Sequence, residues 1–109
     1  MIEIKIVLLL ACIHFAGDFL FQTDWMATNK SKKNKALGLH VLVYSAPLLF
    51  FGWKYAAINC ALHFATDYAT SRATSNLWAR GDRRNFFVVI GGDQMIHTFC
   101  LILTYWGLR

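Results

Sequence analysis

The sequence predicts an all-α integral membrane protein, a four-helix bundle built from two parallel helical-hairpin repeats. Three observations predict it. The 109-residue chain is 57% hydrophobic and only 16% charged, which is more apolar than a soluble domain and long enough for a single domain. Its apolar residues gather into four segments near bilayer-crossing length. Finally, His14-Phe15-Ala16-Gly17-Asp18-Phe19 returns almost unchanged as His63-Phe64-Ala65-Thr66-Asp67-Tyr68, each copy inside such a segment.

The spans are drawn over residues 4–22, 37–53, 55–71 and 86–108, against the ~20 residues that cross a hydrocarbon core of about 30 Å. The first follows Glu3 and runs to Gln22. The short second and third are joined only by Gly52-Trp53-Lys54-Tyr55, a tight hairpin; a single long helix there is the alternative, which Pro47 and Gly52 would interrupt. Trp25 and Trp78 follow the first and third spans, and Trp53 and Trp106 close the second and fourth, where interfacial aromatics belong. Both motif copies run in the same direction. Residues 4–53 and 55–108 therefore form a parallel repeat about a pseudo-twofold axis along the membrane normal.

Charge sets the orientation. Lys30, Lys32, Lys33 and Lys35 lie in the first loop, residues 23–36, and Arg72, Arg80, Arg83 and Arg84 in or beside the third, residues 72–85. The other connections carry only Glu3, Lys5, Lys54 and Arg109. By the positive-inside rule the two basic loops are cytoplasmic and both termini lie outside, in a multi-pass protein of the bacterial inner membrane. The net charge of +5 is thus a topology signal. Anionic lipid headgroups are its expected partners, and no nucleic acid is expected, because a reading fold with interleaved aromatics is absent. Cys12, Cys60 and Cys100 form no C-x-x-C pair and read as small buried packing residues. A lipoprotein cleavage at Cys12 is disfavoured by the short apolar run before it.

The polar residues inside the spans carry the chemistry. Positions four apart share a helix face, so His14, Asp18 and Gln22 form one stripe, Asn59, His63 and Asp67 another, and Asp93 and His97 a third beside Gln94. The second span adds His40, with Tyr44 one turn on. At ~1.5 Å rise per residue, His14, Asp18, His40, His63, Asp67, Asp93 and His97 fall in one slab about 10–15 Å thick. Ionisable groups at membrane depth are costly without partners. Imidazole and carboxylate together form the ligand set of zinc, manganese and iron, so these seven residues are the candidate ligands of one or two divalent metals. Gln22, Asn59, Gln94 and Tyr44 read as supporting residues around them, more glue than ligand. Gly91-Gly92 reads as a close helix approach.

The ordered set His14-x-x-x-Asp18-Phe19-x-x-Gln22, Met26, Lys30, His40-x-x-x-Tyr44, His63-x-x-x-Asp67 and Asp93-Gln94-x-x-His97 resembles a family of small multi-pass membrane proteins of bacteria and phages, a domain of unknown function. The likeness covers nearly the whole chain and carries no activity with it. More distantly, histidines and aspartates in short membrane helices are similar to YdjM-type membrane-bound metal-dependent hydrolases. That likeness implies metal chemistry and no particular substrate.

The leading expectation is an intramembrane metal-dependent hydrolase acting on a lipid phosphoester or another membrane-associated ester. The metals would activate water, an aspartate among Asp93, Asp18 and Asp67 would serve as base, and Lys30, Arg83 and Arg84 would hold an anionic headgroup. A proton- or metal-coupled transporter or channel subunit is the alternative, and a chain this small would need a homodimer for it. Haem ligation by the four histidines and a phage pore or exclusion protein are further readings.

Overall fold

The computed structural model describes residues 3–108, which are all-α with no strand among them. Helix α1 spans Ile4–Phe15, a nearly unbroken apolar run. It does not stop there but loosens into a π turn, Ala16–Leu20, closed by the Phe21 N–H donating to the Ala16 carbonyl at 2.8 Å. Gly17 permits that turn, since a Cβ there would lie 2.9 Å from Tyr44 Cδ2 and 3.3 Å from Tyr44 Cα.

The first basic loop holds a helix that the four-span reading did not include. Helix α2 spans Asp24–Asn29 and starts at Thr23, whose hydroxyl accepts from the Met26 N–H at 3.2 Å. Helix α3 spans Asn34–Ser45. Pro47 then offers no N–H to the Val43 carbonyl, and the chain tightens into a 3-10 turn, Ala46–Phe51. Gly52, at φ 117°, redirects the chain in a single residue, so the expected four-residue hairpin is tighter still.

Helix α4 spans Trp53–Ala79 and overruns its expected end at residue 71 by two turns. Nothing between Trp53 and Ala79 breaks it: the stretch has no proline or glycine. The stop comes at Gly81, φ 76°, where the Gly81 N–H donates to the Trp78 carbonyl and the Asp82 N–H to the Leu77 carbonyl. The loop expected over residues 72–85 is therefore only residues 80–82. Helix α5 spans Arg83–Gly107 and is capped by Asp82, which accepts from the Asn85 side chain at 2.8 Å and the Asn85 N–H at 3.2 Å. Those two bonds hold the Asp82 carboxyl below the usual carboxylate range.

Helix α4 is the hub. It packs along α5 and α3, while α1 lies on α5 and the π turn on α3. The Arg72 guanidinium donates to Asn34 Oδ1 at 3.0 Å, which ties α4 to the start of α3 and brings the two basic connections to one end. The opposite end is closed by Leu10, Tyr44, Leu48, Tyr55, Ala56 and Leu101. Asn59 belongs to that end, its amide donating to the Tyr55 carbonyl at 3.0 Å and to Thr104 Oγ1 at 2.9 Å.

The distribution of polarity is inverted. Among the described residues, His14, Asp18, His40, His63, Asp67, Asp93 and His97 are buried, whereas Phe50 is 92% exposed and Leu103 70%. Two helical segments, Asn34–Phe51 and Arg83–Gly107, are long and apolar enough to cross a membrane by length and composition. The expected burial of the cysteines fails for Cys12, which is exposed, and holds only partly for Cys60 and Cys100. Helix α1 buries Leu10 and His14, and Cys12 sits about 200° around the helix from both.

Candidate metal centre

Each polar side chain arrives on a face fixed by helix periodicity, and three helical segments aim theirs at one point. Asp18 comes from the π turn, His40 from α3, and His63 and Asp67 from successive turns of α4. His40 Nε2 lies 3.0 Å from Asp18 Oδ1, 3.2 Å from Asp67 Oδ2 and 3.2 Å from His63 Nε2. His63 Nε2 lies 3.2 Å from Asp67 Oδ2 and 3.5 Å from Asp18 Oδ1. Ligands about 2.0–2.2 Å from a shared metal stand about 2.9–3.5 Å apart at octahedral or tetrahedral angles. The five separations fall in that range.

Hydrogen bonding alone accounts poorly for this quartet. Two imidazole nitrogens and two carboxylate oxygens face one another, and they hold at most two protons between them. Among the described residues Asp18 Oδ1 makes no well-aligned hydrogen bond although His40 Nε2 is only 3.0 Å away, and His40 Nδ1 and His63 Nδ1 are buried without partners. A buried acceptor without a well-aligned donor is costly, and a cation at the quartet's centre would satisfy it. The residues present therefore fit a divalent metal.

A second group adjoins the first through Asp18 and consists of Asp18, Asp93 and His97. His97 Nε2 lies 3.1 Å from Asp93 Oδ1 and 2.9 Å from Asp67 Oδ1, so the Asp67 carboxylate faces both groups. The His63 and His97 rings stack with centroids 3.9 Å apart and planes 3° from parallel. His14 stands at the rim. Its Nδ1 meets the Tyr44 hydroxyl at 2.8 Å, its Nε2 meets Gln94 Oε1 at 2.6 Å, and Asp18 Oδ2 is 3.9 Å away. Of the seven candidate ligands, six fall into the two groups and His14 falls outside them.

The supporting residues divide likewise. Gln94 is a bridge: its amide donates to Asp18 Oδ2 at 2.8 Å and to Asp93 Oδ2 at 3.1 Å. Tyr44 lies across His63, ring centroids 4.0 Å apart. Asn59 lies away at the closed end.

A cavity of about 460 Å³ opens from the acids towards the basic end, lined in part by Asp18, Asp67, Asp93 and Gln22. Lys30 also lines it but is placed otherwise than as a free anion holder, because its ammonium donates to Asp67 Oδ2 at 3.2 Å. Helix α2, packed on α3, carries it there. Arg83 stacks on the Trp78 ring at 3.5 Å and donates to the Trp78 carbonyl, and neither it nor Arg84 is among the residues lining the cavity. Sequence reading missed Thr70, whose hydroxyl donates to Asp93 Oδ1 at 2.6 Å. It lies three residues beyond Asp67, on the face already assigned to the site, and that spacing was the available signal.

Residues 6–108 match the family described as a protein of unknown function (DUF3307). The chain belongs to that family. No curated protein and no solved structure matches the chain, so the more distant likeness to YdjM-type proteins stays at the level of the motifs. The family match spans every segment that contributes to the two groups, the π turn, α3, α4 and α5.

Proposed function

We propose that the protein is a membrane-embedded metal-dependent hydrolase acting on a phosphoester or another ester presented from the bilayer. The observation that carries the proposal is the buried Asp18, His40, His63 and Asp67 quartet, with ligand-like separations and an acceptor that lacks a well-aligned donor. Asp18, Asp67 and Asp93 bring three carboxylates together, and the Lys30 ammonium donates to one of them. One divalent cation balances what remains. When bound, zinc, manganese or iron supplies Lewis acidity towards water and the scissile group.

The chain's own residues supply the rest. Asp93 lines the cavity, held by Thr70 and His97 on Oδ1 and by Gln94 on Oδ2; it accepts a proton as water adds to the ester and returns it to the departing alcohol as the ester bond breaks. Gln94 keeps Asp18 and Asp93 apart at fixed distance. The reading embeds four helical segments in the inner membrane, basic loops inside and termini outside. Its supports are the exposed apolar surface, the longest dimension of 44 Å against about 40–45 Å for a whole bilayer, and the cations gathered at one end. Helix α4, at 27 residues, then reaches past the hydrocarbon core, and the cavity opens at the cytoplasmic interface.

Transport is less well supported, because the apolar cluster of Leu10, Leu48 and Leu101 closes the end opposite the cavity. Haem is disfavoured by the stacked His63 and His97 rings, which leave no space for a porphyrin between them. Elemental analysis of the purified full chain tests the proposal. Zinc, manganese or iron should copurify and be lost in His40→Ala and His63→Ala, together with activity on lipid phosphates. A wild-type chain without metal, or one with a Soret band, overturns it.

A further inference from the structure

The cavity beside the centre has a chemistry of its own. Ser71, 7% exposed, and Gln22 both line this cavity, and among the described residues the buried Ser71 hydroxyl and Gln22 Oε1 have no hydrogen-bond partner. Two neighbouring hydroxyls on α4 are occupied: Thr70 donates to Asp93, and Thr74 donates to the Ser71 carbonyl at 3.1 Å. Ser71 thus keeps a free donor and Gln22 a free acceptor, on two residues that line one space. Lys30 and Lys32 line the same space, and Phe19, Trp78, Phe86 and Ile90 give it an apolar wall.

We infer that this cavity is a subsite for a phosphoester whose alcohol part carries free hydroxyls, seated between Gln22 and Ser71 with its phosphate towards Lys30 and Lys32. Gln22 Oε1 requires a donor, which an ionised phosphate lacks and a polyol hydroxyl provides. Ser71 Oγ can donate to a second hydroxyl or to an ester oxygen. The lysines supply charge-assisted bonds to phosphate, and Lys30 can reach it while staying beside Asp67. The apolar wall accepts an acyl-bearing form of the same headgroup. The inference deepens the hydrolase reading and rests on it only for what happens to the ester.

Calorimetric binding to the full chain in phosphatidylcholine nanodiscs tests it, with glycerol 3-phosphate and inorganic phosphate as probes. Glycerol 3-phosphate should bind about tenfold more tightly than phosphate, the worth of one or two well-made hydrogen bonds. Ser71→Ala and Gln22→Leu should each collapse that ratio towards one while metal per chain, by elemental analysis, stays unchanged. A ratio of one in the wild type, or a ratio that survives both substitutions, overturns the subsite. Adding phosphatidylglycerol to the disc separates the sources: a lipid ligand competes with glycerol 3-phosphate, and a water-soluble one does not. A metal-free wild type that keeps the tenfold ratio sinks the hydrolase reading and leaves the subsite standing. A metal-loaded wild type with a ratio of one does the reverse.

Discussion

The two copies of the His-Phe-Ala-x-Asp motif have the same spacing and different fates. On α4 the second copy is regular helix, and His63 Nε2 meets Asp67 Oδ2 at 3.2 Å. In the first copy the helix widens into a π turn after Phe15, and His14 Nε2 is left 3.9 Å from Asp18 Oδ2. A π turn bonds i to i+5, so a four-residue offset no longer stacks one side chain above the other. Asp18 swings instead towards His40 and His63. The first copy therefore lends its acid to the second copy's histidine, while His14 clamps Tyr44 and Gln94. Duplication supplied matching parts, and one local change of winding made their roles unequal.

The largest expected effect comes from breaking the regular copy at its acid. Asp67 faces His40, His63, His97 and the Lys30 ammonium. In Asp67→Asn that largely buried ammonium loses its partner, which should cost about 3–5 kcal/mol of stability. Metal affinity should fall by at least about 100-fold, beyond the loss of an outer-sphere partner. Asp18→Asn should lower metal affinity comparably but cost only about 1 kcal/mol, because Gln94 can still bond the new amide. Unfolding in detergent, alongside elemental analysis, measures both. Equal destabilisation by the two variants would mean that the copies are equivalent after all.

How much of this inequality could be read from the sequence depends on what kind of fact each part is. Helical faces and the shared depth of His40, His63, Asp67, Asp93 and His97 follow from periodicity, which neighbouring residues enforce. The all-α class follows in the same way. The π turn does not, since it is held by the fit of Gly17 under Tyr44, 27 residues further along the chain. The sequence ends this span at residue 71 because hydropathy fades after Thr70, while no proline or glycine stops the helix before Gly81. The sequence places Lys30 in a basic loop, as a charge for an anionic headgroup. Its inward turn depends on Thr23 capping α2, a signal present in Thr23-Asp24 but weaker than the run of lysines beside it.

A substitution that exchanges the copies at their one differing interior position sharpens the comparison. Gly17 in the first copy corresponds to Thr66 in the second, which is half-buried on α4 with its hydroxyl donating to the Leu62 carbonyl at 2.9 Å. Gly17→Thr drives a side chain into Tyr44, where even a Cβ is too close to ring and backbone. Overpacking of this kind should cost about 1–3 kcal/mol and pull the Tyr44 hydroxyl from His14. Thr66→Gly meets nothing and should cost under about 1 kcal/mol, the difference in helix propensity. If Gly17→Thr is silent in thermal unfolding, the tight approach of π turn and α3 is not what sets the first copy apart.

The finest test asks whether His14 is a clamp or a ligand. As a clamp it acts through Tyr44 and Gln94, so Tyr44→Phe should remove one hydrogen bond, cost about 1 kcal/mol, and weaken metal binding by no more than about tenfold. His14→Ala should do somewhat more, because Gln94 then loses the partner of its carbonyl oxygen and holds Asp18 and Asp93 less firmly. Both should remain well short of His63→Ala, which deletes a member of the quartet itself. The ranking is read from metal affinities of the three variants in one detergent. Should His14→Ala match His63→Ala while Tyr44→Phe stays mild, the His14 ring must turn from Gln94 towards Asp18 when metal binds, and the two copies would then differ in the resting arrangement only.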